Sequence, residues 1–286
     1  MIQPEKVHLY CRDGYCLTGS FYQHQSSVPT LPILICPATG IRQRFYQAFA
    51  TWLFEQGYDV LCFDFRGIGE SLHGKLKDSQ ASIQDWGMLD IPAAIDYLLQ
   101  RTQKSQVLMI GHSAGGQLLG VVPNYHRVAK LVAVAGSTGY VKGLSGQTKW
   151  FAPVMFNVLF PFSSQLFGYG ASRWIGMGEN LPKAVARQWR EFCSQAGYIE
   201  NALGKSIFHD FHDKIQIPMT AIHAIDDEIA TKTNVEDLLR LYPNAQKKRI
   251  ELAPREWQHQ EIGHMAWFKR SHQNLWPLVL KELQDH

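Results

Sequence analysis

Gln106-Val107-Leu108-Met109-Ile110-Gly111-His112-Ser113-Ala114-Gly115-Gly116 is the stretch that decides how this chain is read. Gln106–Ile110 is an apolar run of strand length, and Gly115–Val122 is expected to continue as a helix. Ser113 sits between them in a G-x-S-x-G turn. A serine on so sharp a turn adopts a strained backbone, and its hydroxyl projects from the sheet edge. The residues two before and two after it approach closely. Gly111 and Gly115 meet that need, and Gly116 lets the following helix pack on the sheet. A phosphate-binding loop is the competing reading, but G-x-G-x-x-G and a Walker lysine are both absent. His112 lies on the wrong side of the turn to serve Ser113 as a base, so it reads as structural.

Outward from this turn the chain alternates short apolar strands with amphipathic helices. Lys6–Cys11 and Cys16–Tyr22 flank Asp13-Gly14, a hairpin signal. Ile33–Cys36 and Tyr58–Phe65 read as strands around a helix at Phe45–Gln56. Asp90–Gln100 reads as a helix, with Ile91, Ile95, Leu98 and Leu99 on one face, and Lys130–Ala135 as a strand. The rhythm breaks after Gly136 and resumes with a strand at Ile217–Ile225. A helix at Asn234–Leu241, a strand at Lys248–Ala253 and a last helix at His272–Leu283 follow. Such alternation predicts an α/β protein whose mostly parallel sheet is covered on both faces. It also favours a single domain over 1–286 with an insertion at about 140–208, rather than two tandem domains.

The chain has 286 residues and 45% hydrophobic composition, enough for a large core. Its formal net charge of +3 is close to neutral and leads us to expect neither nucleic acid nor an anionic membrane as partner. The N-terminus lacks the features of a secretory signal. The five cysteines are odd in number and form no C-x-x-C pair, which speaks against zinc or dithiol chemistry. A reduced, cytoplasmic protein is the expectation.

G-H-S-x-G-G, with Asp64-Phe65-Arg66-Gly67-Ile68-Gly69-Glu70-Ser71 after the fourth strand and Asp85-Trp86-Gly87 beyond it, resembles the α/β-hydrolase superfamily. In particular it resembles the bacterial α/β-hydrolase group related to serine aminopeptidases and lysophospholipase-like enzymes. The resemblance spans nearly the whole chain and is weakest over Tyr140–Phe208, where this fold inserts a cap. It implies an eight-stranded sheet and a Ser–acid–His triad in that chain order. In the family's pattern Asp64 and Arg66 brace the loop beneath the nucleophile.

A serine hydroxyl needs a base to take its proton, and the base needs a carboxylate to fix its tautomer. His264, preceded by Gly263 and following the last strand, matches the family's base. His259, in a polar run, is its rival. The acid loop reads Ile225-Asp226-Asp227-Glu228-Ile229-Ala230-Thr231, and the family's D-x-[IV]-x-P register favours Asp227, with Asp226 as the alternative and Thr231 in place of proline. Backbone N–H groups of Ala114 and Thr39 are the expected oxyanion donors. Pro37-Ala38 stands where many relatives have His-Gly.

Trp150–Phe162 is aromatic and apolar, but two prolines interrupt it and it is too short to span a membrane. It reads as the core of the cap, with some of its aromatics lining an acyl pocket. His209-Asp210-Phe211-His212-Asp213 has metal-like spacing without further ligands and reads as a solvated connector. No metal or cofactor is expected. The function expected is hydrolysis of an ester, thioester or amide of a small apolar acyl substrate through an acyl-enzyme on Ser113. An acyltransferase or a non-catalytic protein of the same fold is the alternative.

Overall fold

Each central strand buries both of its faces, which is why the strands read as mostly apolar runs rather than as alternating ones. In the computed structural model, which describes residues 3–24 and 30–285, Ile33 and Ile35 pack on one side of the sheet and Leu34 and Cys36 on the other. Helices Gln47–Glu55 and Trp276–Gln284 cover the first side, and helix Ile91–Thr102 covers the second.

The strands are β1 (Glu5–Tyr10), β2 (Cys16–Tyr22), β3 (Ile33–Cys36), β4 (Val60–Phe63), β5 (Val107–His112), β6 (Val128–Val134), β7 (Met219–Ala224) and β8 (Lys247–Leu252). They form one eight-stranded sheet in the order β1-β2-β4-β3-β5-β6-β7-β8. The N-terminal hairpin and the β2–β4 pair are antiparallel, and every other pair is parallel. This is the α/β-hydrolase sheet expected above. The chain order crosses over at β3–β4–β5, so the loops after β3 and β5 leave the carboxyl edge side by side. Ligands gather at such a crossover in α/β sheets.

Two expectations need correction. Gly115–Val122 forms no α-helix but two 3₁₀ turns, Ser113–Gly116 and Leu119–Val121. Three glycines, two β-branched valines and Pro123 make this segment a poor helix. Tertiary partners also claim its backbone: Gly120 N–H donates to Tyr242 Oη (3.1 Å), and its carbonyl accepts from Phe211 N–H (2.7 Å). The His209–Asp213 connector is not simply solvated either. The His212 ring is buried against Tyr242 and the Cα of Gly120, where a Cβ would lie 2.0 Å from the ring. Asp210 holds its Nδ1.

Asp64 and Arg66 do brace loops, but those after β3 and β4 rather than the turn of Ser113. The Asp64 carboxylate accepts from the N–H groups of Gln43 (2.6 Å) and Glu70 (2.9 Å). Arg66 donates to Asp90 (2.6 Å) and to Asp13 in the hairpin turn (2.7 Å). Together they clamp the loops below β3 and β4.

Behind the serine turn runs a buried relay. Ala38 N–H donates to Tyr46 Oη (2.9 Å), Tyr46 O–H to His112 Nδ1 (2.7 Å), and His112 Nε2–H to the His264 carbonyl (2.9 Å). The carbonyl fixes the tautomer, since it can only accept. His112 is therefore a neutral strut joining three loops. Burial, reinforced by the neighbouring His264, lowers its pKa from 6.5 to about 3.

The unfolded chain takes up a proton at His112 near the ordinary value, and the folded chain does not until about pH 3. Stability should fall as pH drops through that window, by up to about 1.4 kcal/mol per pH unit from this one group. Thermal unfolding across the window, compared with His112→Gln, tests this. The variant should show a shallower acid slope, and an identical slope would assign the acid sensitivity to other groups.

Candidate active site

Ser113 is a non-glycine residue in the left-handed region, with φ of +48°. L-residues avoid this conformation unless their surroundings impose it. Here the imposing contacts are between backbones. A Cβ on Gly111 would lie 2.4 Å from the Cα of Gly116, and one on Gly115 would lie 2.2 Å from the carbonyl oxygen of Cys36 in β3. A Cβ on Gly116 would lie 2.9 Å from that of Ala133 in β6. The first approach closes the turn on itself, and the other two seat it against β3 and β6.

The structure brings Asp227, not Asp226, to His264. His264 Nδ1–H donates to Asp227 Oδ2 at 2.8 Å, with Oδ1 at 3.1 Å. Asp227 is buried, and its Oδ1 also accepts from the N–H groups of Ile229 and Ala230, both at 2.8 Å. Burial alone would push its pKa up. The adjacent His264 and these donors outweigh burial and hold the carboxyl below the usual range, so it stays ionised. Asp226 has a different task, accepting from Ile262 N–H (2.9 Å) and bracing the histidine loop. His259 lies away from the site, bonded to Asn274 (2.7 Å) and stacked on His272.

Ser113 and His264 share the wall of a pocket of about 340 Å³. No hydrogen bond joins Ser113 Oγ to His264 in this structure; such bonds often tighten only around substrate. Thr39 and Ala38 line the same pocket. The Ala38 N–H is committed to Tyr46, whereas that of Thr39 has no acceptor among the described residues. Ala114, buried at the turn, follows the serine directly.

The segment between β6 and β7 supplies the far wall. It runs through a helical stretch from Thr148 to Phe167, a two-stranded ribbon (Tyr169–Gly170 with Leu181–Pro182) and helix Lys183–Cys193. Thr148, Phe151, Ile175, Met177 and Trp189 reach the pocket. No Asp, Glu, Lys or Arg lines it.

The aromatics of Trp150–Phe162 divide differently from expectation. Phe156 and Phe160 form the segment's core with Trp189, and Phe151 reaches the pocket. Trp150 and Phe162 face outward. Nor do the prolines break the helix. Pro153 lies within its first turns, and a π-helical turn at Met155–Leu159 precedes Pro161, widening the backbone where a proline ring would otherwise clash.

Two participants escaped sequence reasoning. Tyr46, in the relay, carries no local signal. Glu228, the neighbour of Asp227, was assigned no role from the sequence, yet it tethers the helix at Thr148. Its carboxylate accepts from Gln147 N–H (3.1 Å), Thr148 N–H (2.8 Å) and Thr148 Oγ (2.7 Å). These bonds, that from the Thr148 hydroxyl foremost, lower its pKa. Gly146-Gln147-Thr148 just before an apolar run was the available clue, since a Cβ on Gly146 would collide with Glu228.

Comparison with known proteins agrees with this architecture. The family model described as serine aminopeptidase, S33, matches residues 29–260. Lipase lipl-1 of Caenorhabditis elegans is 32% identical over 142 residues, covering 44% of this chain and 35% of the lipase. Lipase 3 of Drosophila melanogaster is 32% identical over 120 residues, covering 38% of this chain and 30% of the lipase. The aligned stretch is thus about a third of the length of these lipases. Among solved structures, a soluble variant of Saccharomyces cerevisiae monoglyceride lipase superposes with a TM-score of 0.68 at 15% identity, covering 99% of this chain and 96% of that one. An esterase from Thermogutta terrifontis gives 0.57 at 15% identity, covering 97% and 99%. These likenesses are of fold. The match to most of the chain means that the protein belongs to the serine aminopeptidase S33 family of α/β hydrolases.

Proposed function

We propose that the protein is a serine hydrolase that cleaves esters of small, uncharged, apolar acyl groups. The observation that carries this reading is the uncharged pocket whose wall Ser113 and His264 share, with ionised Asp227 bonded behind the histidine. Ser113 Oγ attacks the acyl carbonyl while His264 Nε2 takes its proton. The N–H groups of Thr39 and Ala114 receive the developing oxyanion. Collapse passes the proton to the leaving oxygen and leaves an acyl group on Ser113, which water, activated in turn by His264, removes. The segment over 140–208 acts as a cap whose inner face measures the acyl chain. Lipases among the relatives support the ester class.

A peptidase acting on free amino termini would be expected to hold the substrate ammonium against a carboxylate, because an unpaired buried cation is costly. The pocket has none. Glu179, the conspicuous acid of the mid-cap, is engaged instead by Arg42 at 2.7 Å.

Ser113→Ala should abolish labelling by a fluorophosphonate probe and lower ester turnover by about 10⁴-fold or more, with an unchanged unfolding temperature. Turnover within about tenfold of wild type would exclude Ser113 as the nucleophile.

Asp227→Asn should cost about 10⁴-fold in kcat, since it removes the partner that fixes the imidazole tautomer. Asp226→Asn, which weakens one loop hydrogen bond, should cost about tenfold at most. Steady-state kinetics of the two variants decide the matter, and the opposite ranking would assign the triad to Asp226.

Across p-nitrophenyl esters of rising chain length, each added methylene should contribute about 0.8 kcal/mol, roughly fourfold in kcat/KM, until the pocket is full. Aminoacyl p-nitroanilides should be poorer substrates. Faster anilide cleavage with no trend among the esters would favour an aminopeptidase.

A further inference from the structure

The helical stretch Thr148–Phe167 turns its polar-poor side outward. Trp150, Val154, Val158, Phe162 and Leu166 recur at four-residue intervals, and each is between 54% and 77% exposed. At 1.5 Å per residue this ridge is about 24 Å long. In a continuous α-helix such a series would drift by about 40° per step and wrap around the axis. The π turn at Met155–Leu159, with more residues per turn, offsets the drift midway and keeps the ridge on one face. The other exposed positions of the stretch include Lys149, Asn157 and Gln165, and none is acidic. Ordinary surface helices bury this kind of face.

Beside the ridge lies a groove of about 600 Å³ between this helix and helix Lys183–Cys193. Lys77, Lys183, Arg187 and Arg190 line it, and no carboxylate does. Lys183, Arg187 and Arg190 share one exposed helix face, and none of the four cations has an ion-pair partner among the described residues. The whole-chain charge of +3 conceals this segregation.

We propose that the ridge and its basic flank are a docking surface for an anionic phospholipid surface, with the helix lying along the boundary between headgroups and acyl chains. An apolar helix face bordered by lysine and arginine is the chemistry that partitions into such an interface. A second copy of the chain fits less well. A two-fold contact would set one basic flank near the other, with no carboxylate on the helix to meet it. The same helix contributes Thr148 and Phe151 to the wall of the Ser113 pocket, so docking would bring that pocket to the bilayer surface. Delivery of an acyl substrate from the bilayer rests on the serine-hydrolase reading; docking itself does not.

The test is co-sedimentation with vesicles, which needs no turnover. Wild-type protein should sediment with phosphatidylcholine vesicles containing phosphatidylserine and much less with phosphatidylcholine alone. The combined variant Val158→Ser, Phe162→Ser, Leu166→Ser should lose about a hundredfold or more in partitioning. Lys183→Ala, Arg187→Ala and Arg190→Ala should each lose about fivefold, on the anionic vesicles only. These exposed substitutions should leave the unfolding temperature unchanged, which separates lost docking from lost folding. No sedimentation of wild type with anionic vesicles overturns the proposal, as does equal sedimentation of the ridge variant. A concentration-dependent dimer abolished by the ridge variant, without vesicle binding, would assign the face to a second copy.

Discussion

The close approach of backbones around Gly111, Gly115 and Gly116 is the constraint on which the rest of the site depends. A side chain at Gly115 would occupy the Cys36 carbonyl, and one at Gly111 would occupy the backbone of Gly116. Only because these positions are bare can the turn after β5 sit between β3 and β6 with Ser113 at φ +48°. Strain of this kind persists when the surroundings over-determine it. Here the sheet over-determines it on two sides, and the Tyr46–His112 relay supports it from behind.

The acid loop divides labour among three consecutive carboxylates. Asp226 reaches to Ile262 N–H, Asp227 to His264, and Glu228 to the start of the Thr148 helix. One short turn after β7 therefore sets the histidine loop, the tautomer of the imidazole and the start of the Thr148 helix. The thermodynamic cost of burying Asp227 is met locally, by two backbone donors and the imidazole.

Much of this was legible in the sequence, for identifiable reasons. Both-face burial wrote β3, β4 and the first four residues of β5 as unbroken apolar runs, and short-range glycine chemistry marked the Ser113 turn. The register of Asp227 followed from the resemblance of its loop to a known family pattern. What escaped notice depends on contacts distant in sequence. The segment after Gly116 looked helical by its apolar content, yet Tyr242 and Phe211 draw its backbone into 3₁₀ turns. His212 looked solvated because the groups that bury it, Gly120 and Tyr242, are far along the chain. The outward ridge read as core because apolar residues alone do not say which side of a helix has a neighbour. Net charge is silent on the basic groove for a related reason, since summing over the chain erases where the cations stand.

The tether at Glu228 bears on how this architecture could be re-engineered or could diversify. Exchanging the contiguous segment between β6 and β7 among relatives would leave behind the carboxylate that holds its first helix, because Glu228 belongs to the sheet side of the molecule. Gly146 and Thr148 in turn are shaped to that carboxylate. The exchangeable module is thus discontinuous: that segment together with Glu228, the neighbour of Asp227. A chimera respecting that boundary would keep its new segment seated, whereas one cut only at the strand ends would lose the bonds that anchor its first helix.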